Sequence, residues 1–242
     1  MKQRRLAVIA ALALALPVSA LAAPKGKKKA KIPAAAASPA PADTAASTAL
    51  VELPPVLEEV EAKYAKASTL EARFTQVTHS VAMGTTKTTS GIIMVKRPSK
   101  VRWETLKPDK SLLVSDGRKF WFYTPPFDES EKGQVIEKRS SDVQSKLAQA
   151  LLSGSFSAAR DMKAREERPS VFSLTPKAGT AGTVVKATIE IDPANRTIKR
   201  VELDHQDGNR AEISLSEIVL GKEADDRYFV FDAPPGTDVI RQ

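Results

Sequence analysis

The 242-residue chain contains no cysteine. It can therefore build no disulfide framework and no thiolate metal site, and it has no cysteine for lipid attachment. Histidine is almost as scarce. His79 and His205 each fall at a polar position of a strand-like segment, with no HExxH pattern and no second ligand nearby, so a solvated strand histidine describes both better than a metal ligand does. A GxSxG elbow, a P-loop and a dinucleotide fingerprint are also missing, and Ser153-Gly154-Ser155 lacks the spacing of the first. The carboxylates Glu58-Glu59-Glu61 and Asp225-Asp226 are dense, but their neighbours read as exposed helix and turn faces. Neither an enzyme nor a cofactor is expected.

An evenly spread basic charge is missing too. The net charge is +8, but residues 1–22 hold three basic residues and no acid, and residues 23–50 hold five lysines and one acid, Asp43. Residues 51–242 are left with 29 basic and 28 acidic side chains, which gives no footprint for nucleic acid.

Only one long apolar run occurs, and it lies at the start. Lys2, Arg4 and Arg5 precede Leu6 to Leu16, Pro17 breaks the run, and Ala20-Leu21-Ala22 offers small residues for cleavage. Residues 1–22 read as a cleaved signal peptide, with the mature chain starting at Ala23 or Pro24. Residues 23–50 are rich in Ala, Pro and Lys and have Ile32 as their single large apolar residue before the final Leu50, so they read as a disordered linker. Residues 51–242, about 190 of them, are enough for one domain.

What that domain has is strands. In Gly91 to Pro125 the apolar residues are largely Ile, Val, Trp, Phe and Tyr, and turns are marked by Pro98, Pro108 and Asp116-Gly117. Asp116-Gly117 between Leu112-Leu113-Val114 and Phe120-Trp121-Phe122-Tyr123 is a strong hairpin signal, since glycine supplies positive φ cheaply. Strands are expected at 69–81, 89–97, 100–106, 111–115, 119–124, 134–138, 170–175, 183–191, 197–205, 210–219 and 228–232, with turns at Asp192-Pro193-Ala194-Asn195 and Asp207-Gly208. The sequon Asn195-Arg196-Thr197 falls in the first of these turns. Residues 153–169 have no readable pattern. Pro54-Pro55 open a helix to about Lys66 with Val56, Leu57, Val60, Tyr64 and Ala67 on one face. A second helix, Asp142 to Leu152, places Val143, Leu147 and Leu151 in line. The expected class is α+β: an unclosed antiparallel β-barrel of about 11 strands with helices covering an apolar concave face.

Several short pieces occur in a telling order: Phe74-Thr75-Gln76, Val95-Lys96-Arg97-Pro98, Trp103, Lys107-Pro108-Asp109, Val114-Ser115-Asp116-Gly117, Trp121-Phe122-Tyr123, Phe229-Val230-Phe231 and Pro234-Pro235-Gly236. Together, from about residue 54 to 240, they resemble the periplasmic LolA family of outer-membrane lipoprotein carriers. The resemblance implies an unclosed barrel with a helical lid over an apolar cavity, in a periplasmic chaperone that binds lipoprotein acyl chains and shuttles lipoproteins between the two membranes. It implies as partners acylated lipoproteins, an inner-membrane ABC transporter of the LolCDE type and an outer-membrane receptor similar to LolB, with the protein itself a monomer. Candidate cavity residues are Leu70, Phe74, Ile93, Val95, Val101, Trp103, Leu113, Trp121, Tyr123, Val143, Leu147 and Leu151. Many family members carry an aromatic residue where this chain has Val101. Arg97, in the intact VKRP motif, corresponds to the arginine that bonds the lid helices, and its five donors suit backbone carbonyls at helix ends. Two other functions stay open at this point: a lipid- or lipoprotein-sensing domain of an envelope-stress regulator, and a small-molecule enzyme on the same fold.

Overall fold

Buried and exposed residues alternate along most of the chain from Thr69 to Leu220, and this period of two gives the sheet two unlike faces. A computed structural model describes residues 53–128, 130–139, 150–156, 162–176 and 183–242. The expected signal peptide (1–22), the linker (23–50) and most of the second helix, with Val143 and Leu147, lie outside the described residues.

Twelve strands form one sheet: β1 (Thr69–Ser80), β2 (Thr85–Lys96), β3 (Lys100–Lys107), β4 (Ser111–Ser115), β5 (Lys119–Thr124), β6 (Gln134–Arg139), β7 (Lys163–Arg168), β8 (Val171–Thr175), β9 (Val184–Asp192), β10 (Thr197–His205), β11 (Arg210–Leu220) and β12 (Asp238–Arg241). Their spatial order is β12-β6-β5-β4-β3-β2-β1-β11-β10-β9-β8-β7, which leaves β12 and β7 as free edges, so the barrel does not close. Two antiparallel meanders, β1–β6 and β7–β11, meet where β1 pairs with β11. Strand β12 joins β6 in parallel.

The sheet differs from expectation at its ends. Ten of the eleven expected strands are present, and β7 and β12 are additional. Residues 228–232 pair with no strand; Asp226–Phe229 instead form a 3-10 turn, because the Asp225 side chain accepts the Arg227 N–H at its start. That carboxylate cap outweighs the β-forming character of Tyr228, Phe229 and Val230.

Two glycines are required by geometry. At Gly117 φ is 95°, and the Asp116 Oδ1 beside it accepts the N–H groups of Arg118 (2.7 Å) and Lys119 (2.8 Å), closing the β4–β5 hairpin. Gly91 lies at a register shift between β2 and β3, where a Cβ would stand 1.9 Å from the Glu104 carbonyl oxygen. Only glycine lets the two backbones come that close.

Helix α1 (Pro55–Ala65) begins with a proline that has no N–H to leave unpaired, and it buries Leu57, Val60 and Tyr64 in the hollow of the sheet. Phe156, Ile189, Ile198 and Leu203 belong to the same apolar cluster. The Tyr64 hydroxyl accepts the Ile198 backbone N–H at 3.0 Å, pinning the helix to β10, and burial pushes its pKa up to about 12.

On its β2–β6 side the other face of the sheet is covered by the C-terminal arm. After β11 the chain crosses the outside of β2 and β3, where Lys96 (2.6 Å) and Lys100 (2.9 Å) clamp Asp226 and hold its carboxyl down at about 2. Phe229 is fully buried there, Phe231 packs its ring 5.3 Å from Tyr123, and β12 then reaches β6.

Candidate functional site

Eight of the candidate cavity residues come together on the concave face. Leu70 and Phe74 on β1, Ile93 and Val95 on β2, Val101 and Trp103 on β3, Leu113 on β4, and Leu151 in the helical residues 150–152 are all buried in one cluster. The pairing explains it: Ile93 lies opposite Trp103, and Trp103 opposite Leu113, so the same parity faces inward on three neighbouring strands.

Trp121 and Tyr123 are not brought to this cluster. In β5 it is Phe120 and Phe122 that pack on the concave face, with Phe122 opposite Leu113, and alternation turns the other two outward. Trp121 stands opposite Glu137 of β6, and Tyr123 meets Phe231 of the C-terminal arm. Both faces of β5 are covered by aromatic packing, so four aromatic residues in a row carry no alternation to read. The signal for Phe120 and Phe122 was in the turn: counting outward from Asp116-Gly117 puts Ser115 opposite Phe120 and Leu113 opposite Phe122.

Arg97 sits just past the end of β2, half-buried, between the ends of two helical segments. Its Nε donates to the Tyr64 carbonyl in the last turn of α1 (3.2 Å), and its Nη2 donates to the Ser153 carbonyl (2.6 Å). Ser153 follows the helical residues 150–152. There the Gly154 N–H bonds to the Leu151 carbonyl and the Ser155 N–H to the Ala150 carbonyl, a Schellman ending with Gly154 at φ 70°. One guanidinium thus meets the negative ends of two helical dipoles. A Cβ on Gly154 would lie 2.3 Å from the Tyr64 ring, so the two segments pack against each other as closely as a glycine permits.

Three further contacts hold the helical plug. Glu61 Oε1 accepts the Phe156 N–H at 2.9 Å, Arg196 pairs with Glu59 at 2.9 Å, and Lys63 donates to the Asn195 carbonyl. Beside the last of these lies an open groove of about 480 Å³ between Lys63 and the β11 residues Leu215, Ile218 and Leu220. Leu215 on its β11 side belongs to the concave cluster and Ile218 and Leu220 pack against it, while Asp192, Asn195, Lys199 and Glu217 make the rest of the groove polar.

The histidines fare differently. His79 is exposed, whereas His205 is 7% exposed, with Nδ1 3.0 Å from the Thr183 hydroxyl. The expectation of a solvated His205 is therefore corrected: it shares the inward parity of Val201 and Leu203, and burial lowers its pKa. Among the described residues no group of three or more His, Asp or Glu side chains could hold a metal.

An unclosed barrel with an apolar hollow, plugged by helices that are tied in through a few polar bonds, defines a class of β-sheet protein built around an interior surface. Within that class the chain belongs to the LolA family, described as outer membrane lipoprotein carrier protein LolA, whose profile matches residues 65–232. It is similar to the outer-membrane lipoprotein carrier proteins of Pseudomonas paraeruginosa (30% identity over 179 residues, 73% of this chain and 83% of the relative) and Vibrio parahaemolyticus (30% over 185 residues, 76% and 85%). Among solved structures it is similar to a LolA superfamily protein from Nitrosomonas europaea, with 12% identity and a TM-score of 0.41 over 73% of this chain and 96% of that one. An uncharacterized conserved protein from Thermus thermophilus gives 13% identity and a TM-score of 0.47 over 78% and 98%. At such scores the family assignment rests on the sequence match.

Proposed function

We propose that this protein is a periplasmic carrier that takes lipoprotein acyl chains against its concave face and moves lipoproteins from the inner to the outer membrane without catalysing a reaction. In this reading residues 1–22 direct export and are removed, and residues 23–50 are a spacer ahead of the carrier domain. An inner-membrane transporter of the LolCDE type supplies the cargo, and a LolB-like receptor accepts it. The relatives' name as lipoprotein carriers supports this reading.

The observation that carries it is the position of Arg97 at the ends of both helical segments over an apolar face. A ~16-carbon acyl chain left in water costs on the order of 12 kcal/mol at ~0.8 kcal/mol per methylene, so lipidated cargo needs a sealed apolar host. A host that could not reshape would never let go. Arg97 is the latch: its charge-assisted bonds, roughly 1.5–3 kcal/mol each, favour the closed, empty state and so offset part of the binding energy at release.

The test uses two assays on the Arg97→Leu variant. Release of lipoprotein from inner-membrane vesicles is expected to match the wild type, while appearance of the cargo in acceptor membranes falls severalfold, with Arg97→Lys between them. Wild-type transfer by the leucine variant removes the latch. The carrier reading itself is checked with an apolar fluorescent probe, which a diacylated peptide should displace and the unacylated peptide should not.

A further inference from the structure

Trp103 sits near the centre of the concave face, 4% exposed, its ring centroid 4.3 Å from that of Phe74. Its partners across the sheet, Ile93 and Leu113, have no polar side-chain atom. The indole Nε1 is sealed from solvent and has no hydrogen-bond partner among the described residues. The chain has one other tryptophan, Trp121, which faces away from the concave cluster and stands opposite Glu137 of β6. A buried donor without an acceptor is costly, and phenylalanine would fill the same apolar site without that cost. An indole N–H can only donate, so it gains nothing from methylenes and much from a carbonyl oxygen brought into the same dry surroundings.

We propose that Trp103 Nε1 donates a hydrogen bond to the carbonyl oxygen of an acyl linkage in the lipid seated on the concave face. This rests on the carrier reading above and sharpens it. The acyl chains supply affinity by burial alone, which any apolar chain can match. The indole reads the one polar feature that distinguishes an acyl chain from an alkane or an ether lipid, and it fixes how far the chain slides into the hollow. Phe74, packed on the ring, holds the donor in place.

The experiment compares two peptides that differ only in linkage: one carrying two ester-linked palmitoyl chains, the other the same chains through ether bonds. Each competes with an apolar fluorescent probe for the purified protein. The ester peptide is expected to bind about fivefold more tightly to the wild type, the yield of one net hydrogen bond. Trp103→Phe should bind the two equally, at the wild-type affinity for the ether. A readout on the wild type does not depend on that variant folding. Of the two indole 15N–1H resonances, the Trp103 signal should move downfield with the ester peptide and not with the ether, while the Trp121 signal stays in place. Equal affinity for ester and ether in the wild type overturns the proposal, as does a preference that survives in Trp103→Phe or an indole shift common to both peptides. If neither peptide displaces the probe, the carrier reading falls and this proposal with it.

Discussion

The two faces of one sheet are stabilised by different physics. The convex face is laced with ion pairs: Glu190 meets Lys199 (2.8 Å) and Arg200 (2.9 Å), Arg200 reaches Glu212 (3.2 Å), and Arg210 bonds Asp204 (2.7 Å). On its β2–β6 side the C-terminal arm is strapped across it. The concave face is an apolar cluster, and among the described residues its helical plug is tied in by the bonds of Tyr64 and Arg97 together with those of Glu59, Glu61 and Lys63. Strand alternation makes the combination possible, since each strand sends every second side chain to an ion-paired back and the others to an apolar front. Dispersion contacts tolerate exchange of one apolar partner for another, whereas directional polar contacts do not.

Phe229→Ala should break the back most severely. It empties a fully buried site under the arm, and about 3–5 kcal/mol of stability is expected to go, read from the urea midpoint. Affinity for an apolar probe below the unfolding transition should be unchanged, because Phe229 lies outside the concave cluster. An equal loss of probe affinity would show that the faces are not independent.

Gly91→Ala comes next. The new Cβ meets the Glu104 backbone oxygen and the Phe74 ring, so a loss near the upper end of the usual range of about 1–3 kcal/mol for overpacking is expected. Because Phe74 touches Trp103, this variant should also disturb probe binding, unlike the first.

Acidification separates the faces by pH. The folded-state pKa of His205 is depressed by burial, with Asp207 and Asp204 opposing that shift, so the unfolded chain takes up the proton first. Stability should therefore begin to fall as the pH drops below about 6.5. Asp226 is also depressed, but for an acid the sign places its contribution above 3.8, lost only as the pH falls through about 2. Thermal melts between about pH 7 and 5 should show a slope that His205→Leu reduces, while Asp226→Asn leaves the slope in that range intact.

The smallest effect is expected from Arg210→Ala. This exposed pair on the convex face should contribute about 0.2–1 kcal/mol, detectable by its disappearance in high salt.

Where the sequence carried a period of two bounded by turn residues, the fold was legible: β3, β4 and β5 and their hairpins were readable from Val101, Trp103 and Asp116-Gly117 onward. What escaped reading had no such contrast. Strand β7, Lys-Ala-Arg-Glu-Glu-Arg, is charged at every position but Ala164, as suits an edge, and β12 is four exposed residues placed by its partner β6. Membership of the concave cluster was legible wherever one face is apolar. It was not legible at Phe120 to Tyr123, where both faces are covered. Tyr64 was readable as a buried helix position, but its bond to Ile198 joins residues 134 apart and leaves no trace in local pattern.

The pairing of β1 with β11 bears on the order in which the molecule can come into being. Leu70 stands opposite Leu220 and His79 opposite Arg210, so the ladder that unites the two meanders awaits nearly the entire chain. Closing so long a loop is entropically slow, and sheets dominated by distant pairings fold in milliseconds to seconds. The arm strapped across β2–β6 comes later still, from the residues that follow β11. A polypeptide of this topology can pair β1 to β6 hairpin by hairpin, but its sheet is complete only once β11 and β12 are present.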